Sequence, residues 1–107
     1  YYKLIKKKLT RKKNIIFLEN LDIKIFERII SRSTFAISCH SGYLVQISGF
    51  NKTNLIDIVN KKDLIWYNCW KPFNTRHKFI LKSTDKKKIN LNEIFKKIII
   101  AARSFDV

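Results

Sequence analysis

Short apolar runs alternate with amphipathic stretches along the whole chain. Tyr1 to Lys8 sets Leu4 and Ile5, with Leu9, on one face among lysines, which predicts the end of a basic amphipathic helix. Thr10 to Lys13 is a polar connector. Asn14 to Leu18 is a continuous apolar run, the pattern of a strand buried on both faces. Asp22 is a good N-cap, or Asn20 if the helix starts earlier. Ile23, Phe26, Ile29 and Ile30 follow at helical spacing, and that helix ends near Ser31 to Ser33. Thr34 to Ser38 predicts a second buried strand. After Cys39-His40-Ser41-Gly42, Tyr43 to Phe50 has helical character. Asn51 to Asn54 turns the chain into a third strand, Leu55 to Val59.

Asn60 to Asn74 reads as a loop with one helical turn, carrying Trp66, Tyr67, Trp70 and Phe73 around the only proline, Pro72. His77 to Lys82 is an edge-like strand, and Asp85 to Lys88 a charged turn. Asn90 caps a final helix, with Glu93 placed to complete a capping box. Its buried face is marked by Leu91, Ile94, Phe95, Ile98, Ala102 and Phe105. Strands that alternate with helices imply an α/β domain, a Rossmann-like parallel sheet with helices on both faces.

Composition sharpens this picture. The 107 residues fit one domain, and 46% apolar residues with 13% aromatic ones argue against disorder. The scarcity of Gly (2) and Pro (1) disfavours an all-β protein built from tight turns. The chain opens on Tyr1 and contains no methionine, which points to a piece of a longer protein. No apolar run approaches the ~20 residues of a membrane span, so the expected location is cytoplasmic. Cys39 and Cys69, with His40 and His77, show no metal-ligand spacing. Cys39 is expected to be a small buried hydrophobe.

The formal charge is +15 and the pI about 10.1, which implies attraction to anions: nucleic acid, acidic membrane or phosphorylated ligands. Lys outnumbers Arg 18 to 5. Arg is the better bidentate phosphate ligand, so the bias weakens a nucleic-acid reading. An A/T-rich coding sequence would also raise Lys, Ile and Asn together.

The candidate chemistry lies between Thr34 and Val59. A buried strand ends in Ser38-Cys39-His40-Ser41-Gly42 and a helix starts at once. In open α/β sheets ligands bind beyond the carboxyl ends of strands, and a helix start offers free N–H groups to a phosphate. Gly42 permits close approach of a ligand or a positive φ, and Ser41 supplies a hydroxyl. His40 is either a hydrogen-bonded surface residue or a donor to a phosphate oxygen. Tyr43 stacks on a base or sugar, or covers the helix start. Asp57 sits inside a strand, where a charge needs a partner such as a neighbouring loop.

The stretch from Phe35 through Asn51-Lys52, followed by Leu55-Ile-Asp-Ile, resembles the hallmark segment of the heptosyltransferase-like glycosyltransferases (family 9). There an apolar strand leads into Asp-Ser/Thr-Gly-Pro-x-His, then a helix, a Gly-Lys-like turn and a further strand. Ser41 and Gly42 fall on the family's Ser/Thr and Gly. His40 stands in place of its Asp, Tyr43 of its Pro and Val45 of its His. The resemblance covers nearly the whole chain. It implies the latter part of the second domain of a GT-B fold, with the N-terminal domain absent from this chain. By the same resemblance, His40, Ser41, Gly42 and Tyr43 bind the diphosphate of a nucleotide-sugar donor, which is a substrate, and no separate cofactor is expected. The acceptor is a glycan or lipid-linked hydroxyl, as in lipopolysaccharide biosynthesis, attacking with inversion; no catalytic residue is assigned. Trp66 and Trp70 either contact donor sugar or acceptor, or pack the sheet end. The lysine runs 6–8, 11–13 and 86–88 are solvated faces or contacts to an acidic membrane surface. Two alternatives stand beside this: a basic nucleic-acid-binding module, for which no recognised motif appears, and a non-catalytic α/β interaction domain.

Overall fold

The computed structural model describes residues 2–9, 12–71 and 76–105, with the backbone alone at Tyr2 and Trp70. The elements are α1 (Tyr2–Leu9), α2 (Ile23–Ser31), β1 (Phe35–Ser38), α3 (Gly42–Phe50), β2 (Asn54–Asn60), α4 (Leu64–Trp70), β3 (His77–Lys82) and α5 (Leu91–Ser104). Short 3-10 turns at Lys61–Asp63 and Lys86–Lys88 lead into α4 and α5. The three strands form one sheet in the order β1-β2-β3 with every pairing parallel. This is the α/β, Rossmann-like arrangement that the alternating pattern predicts, and β3 is an edge strand as expected.

Side chains alternate across each strand, so β2 feeds two cores. On one face Leu55 joins Ala36 of β1, Ile30 of α2, and Val45 and Ile47 of α3, with Phe26 and Leu44 packed against them. On the other, Ile56 and Ile80 meet Ala101 and Phe105, with Phe35, Ile94, Ile98 and Ala102 around them. Helices α2 and α3 therefore cover one face and α5 the opposite one. No helix among the described residues is long and apolar enough to cross a membrane.

The helix starts follow local rules. The Asp22 carboxylate accepts the Lys24 N–H at 2.8 Å, and the Asn90 side chain accepts the Glu93 N–H at 3.1 Å. Each removes an orphan donor that the helix itself cannot satisfy. Helix α3 closes through Lys52 at a φ of 57°, with the Lys52 and Thr53 N–H groups returning to Gly49 and Ser48. The Thr53 hydroxyl then donates to the Ile30 carbonyl at 2.9 Å, pinning the end of α2 to the start of β2.

Three expectations change. Residues 14–18 form no strand: Ile15, Ile16 and Leu18 are exposed and the segment pairs with nothing in the sheet. A run of four apolar residues is compatible with a buried strand, but only main-chain partners make it one. Here the Lys6–Glu19 ion pair at 2.9 Å holds the segment against α1. Second, about half of the expected aromatic loop is an α-helix, Leu64–Trp70, longer than the single turn expected; Pro72 and Phe73 lie outside the described residues. Third, Leu91 and Phe95 are 75% and 62% exposed. The buried stripe of α5 is narrower than its apolar periodicity, because a single three-stranded sheet face can cover only Ile94, Ile98, Ala101 and Phe105.

These assignments predict opposite outcomes for two apolar positions. Ile56→Ala should lower stability by about 2–5 kcal/mol, whereas Phe95→Ala should change it by no more than about 0.5 kcal/mol. Urea unfolding of the two variants measures both.

Candidate functional site

The centre of the site is a charge in the central strand. Asp57 is fully buried, and an ionised carboxylate so placed needs partners with strong geometry. Its partner is His40. One carboxylate oxygen accepts the His40 backbone N–H at 2.8 Å, and the other lies 2.8 Å from His40 Nδ1. A carboxylate can only accept, so Nδ1 carries the proton and Nε2 is the ring's other functional atom. The His40 side chain is 28% exposed, enough for an outside group to reach it.

The backbone at His40 is itself unusual. Its φ is 61°, in the left-handed region, which disfavours a side chain by roughly 1–2 kcal/mol. The two bonds to Asp57 hold it there. Of the two roles open to Gly42, close approach of a ligand or a positive φ, the second is not used: no glycine has a positive φ. Gly42 instead begins α3, and a Cβ built on it would meet nothing within 4 Å. The space in front of the α3 N-terminus is thus open on the side where Gly42 lacks a side chain.

A second polar side chain of the sheet fastens the same turn. The Ser38 hydroxyl accepts the Ser41 N–H at 2.8 Å. Ser38, Asp57 and Phe79 stand opposite one another in the register of the three strands. One row across the sheet therefore positions residues 39–41. Ser41 caps α3, its hydroxyl accepting the Leu44 N–H at 3.5 Å while its carbonyl accepts that of Val45. The geometry of a helix start leaves the Gly42 and Tyr43 N–H groups without intrahelical acceptors. Tyr43 itself lies over Phe26 of α2, ring centroids 5.6 Å apart, and so covers the helix start. Val45, in place of the resembling family's His, is buried in the core.

Behind the dyad lies a pair that sequence reading missed. Tyr67 of α4 is 2% exposed, with its ring against those of His40, His77 and Phe79. Its hydroxyl lies 2.9 Å from His77 Nδ1. Burial, and secondarily the negative charge of Asp57, pushes the Tyr67 phenol up to about 12, so it remains a neutral hydroxyl. His77 is pushed below its ordinary value by burial first; Asp57 opposes that shift and Lys71 adds to it. Its Nε2 is buried and meets no partner among the described residues, so a protonated ring would bury an unpaired N–H. Reading residues 64–70 as a helix would have placed Leu64 and Tyr67 on the inner side by their spacing.

Of the other candidates, Trp66 is 62% exposed on α4 and does not join the cluster. The Trp70 side chain lies outside the described residues. Cys39 is exposed, as is Cys69, and both are free thiols; the expectation of a buried Cys39 fails because His40, its neighbour, is the residue that the turn directs toward the sheet. Among the described residues no group of three or more His, Cys, Asp or Glu is placed to hold a metal ion.

Two stability measurements follow. Asp57→Ala should cost about 2–4 kcal/mol by stranding the His40 N–H and ring and opening a cavity under Tyr67, while Asp57→Asn, which keeps an acceptor, should cost less. For His77, the folded pKa lies below the unfolded value near 6.5. The unfolded chain then binds more protons in that window, so its contribution is intact above pH 6.5 and is lost as pH falls toward the lower folded value. The unfolding midpoint should therefore drop more steeply below pH 6.5 in the parent than in His77→Gln, as thermal melts across pH would record.

Comparison with known proteins adds no relative to this geometry: no protein family, curated protein or solved structure matches the chain.

Proposed function

We propose that this chain is the donor-binding part of a nucleotide-sugar-dependent glycosyltransferase, and that the β1–α3 turn holds the donor's diphosphate. The observation that carries the reading is the strained His40, locked by the buried Asp57 beside an open helix N-terminus at the carboxyl edge of a parallel sheet. Strained backbone that persists because its surroundings over-determine it is a marker of functional sites. The Gly42 and Tyr43 N–H groups would donate to one phosphate, aided by the positive end of α3. The Ser41 hydroxyl, while accepting its cap bond, keeps its own proton to donate. With Nδ1 bound to Asp57, His40 Nε2 adds a further polar contact for the donor.

In this role the chain stabilises the nucleoside diphosphate as leaving group. An acceptor hydroxyl on a glycan or lipid-linked substrate attacks the anomeric carbon with inversion, its proton taken by a base outside this chain. Resemblance of the Phe35–Asp57 stretch to the heptosyltransferase-like family supports the same assignment. It further points to a partner N-terminal domain and to work on the cytoplasmic side of a membrane.

The test uses a property of Gly42. Because a side chain there meets no protein atom, Gly42→Val should fold as the parent does while blocking approach to the α3 N-terminus. Calorimetry with a panel of nucleoside diphosphates and nucleotide sugars, at moderate and high salt, should show saturable, base-selective binding in the parent. Gly42→Val and His40→Gln should each weaken it by about tenfold or more. Binding that ignores the base and vanishes with salt would instead indicate attraction by the net charge alone, as a nucleic-acid-binding module would show, and would overturn the proposal.

A further inference from the structure

A lysine-lined concavity lies on the α5 side of the same sheet edge. A cavity of about 260 Å³ lies among the end of β3, the turn after it and the start of α5. Lysines from four separate places in the chain line it: Lys61 just beyond β2, Lys82 at the end of β3, Lys88 before α5 and Lys97 within α5. One acid, Glu93, shares the lining and pairs with Lys97 at 3.3 Å, with both side chains at least half exposed. Among the described residues, Lys61, Lys82 and Lys88 form no ion pair. Like charges do not converge on a concavity for stability, since their mutual repulsion opposes folding. Such an arrangement is compensated when an anion sits between them.

The start of α5 borders the cavity through Asn90 and Glu93. Helix α5 is 14 residues long, and its Asn90 cap takes up the Glu93 N–H. Ser83 also lines the cavity, its hydroxyl accepting the Asp85 N–H at 3.3 Å. The location, past the carboxyl ends of β2 and β3, is where open parallel sheets take ligands.

We infer that this cavity binds a compact phosphorylated group, a phosphate monoester or a diphosphate, separately from the His40 turn. Its volume falls just short of the ~300–1,000 Å³ typical of drug-sized ligands, which suits such a group and not an entire nucleotide sugar. Its lining contains no aromatic residue, whereas single-stranded nucleic acid needs stacking surfaces beside its phosphates. The inference does not rest on the nucleotide-sugar reading.

Residue-resolved NMR of the full chain, titrated with inorganic pyrophosphate at moderate salt, tests it. Saturable shifts are expected at Lys82, Ser83, Ile89 and Asn90. The affinity should fall about tenfold in the Lys82→Gln/Lys88→Gln variant and stay unchanged in a Lys3→Gln/Lys7→Gln control on α1, which removes the same charge from an exposed helix. Equal weakening in both variants, or shifts spread over all the lysine-rich surfaces, would show that net charge alone attracts the anion and would overturn the inference. Shifts confined to residues 39–43 would overturn it too while leaving the diphosphate role of the His40 turn intact. Sedimentation with phosphatidylcholine vesicles containing phosphatidic acid separates the sources: binding by the parent and the α1 control, but not by the cavity variant, identifies a lipid headgroup. Free pyrophosphate binding without vesicle binding identifies a soluble phosphorylated ligand.

Discussion

A buried carboxylate in the middle of the central strand governs the arrangement around it. Asp57 has no contact with solvent, and its desolvation must be offset by donors that reach it in fixed geometry. His40 supplies two of them, one from the main chain and one from the ring. To do so its backbone adopts a left-handed φ. Strand β1 must therefore stop at Ser38, and the chain turns sharply enough for α3 to start four residues later, at Gly42. The position of the α3 N-terminus, the exposure of Gly42 and the closeness of Tyr67 to the His40 ring all follow from satisfying that single charge.

The rest of the row strengthens the same constraint. Ser38 holds the Ser41 N–H, and Tyr67, placed by α4 over Phe79, closes the low-dielectric pocket in which Asp57 acts. Burial there raises the phenol and lowers the imidazole of His77, two neutral forms that need no further counter-charge. The turn is thus enclosed on its inner side and open at Gly42.

The net charge of +15 acts differently at different places on the surface. Lysines on α1 stand on an exposed helix, where screening leaves them little individual effect. Those around the β3–α5 cavity are brought together from four parts of the chain by the fold. Both the cavity and the His40 turn lie at the carboxyl edge of the sheet, where the strand ends and helix starts of a parallel α/β domain collect. Basic composition alone does not define a site, but it supplies the charges that this edge concentrates.

The sequence by itself determined the elements whose signals are local. Asp22 and Asn90 announce helix starts because their side chains cap the very next turn, and the strand–helix alternation from Thr34 to Val59 carries the parallel sheet. The candidate turn at 39–42 was visible for the same reason. What local pattern could not supply was partnership across the fold. Ile15, Ile16 and Leu18 look like a buried strand but are exposed and outside the sheet. Leu91 and Phe95 share a helical period with Ile94 and Ile98, yet a three-stranded sheet is too narrow to cover them. The pairing of Asp57 with His40 across 17 residues, that of Tyr67 with His77 across 10, and the gathering of Lys61, Lys82, Lys88 and Lys97 are long-range events. They depend on strand register and helix placement, which only the packed tertiary structure decides.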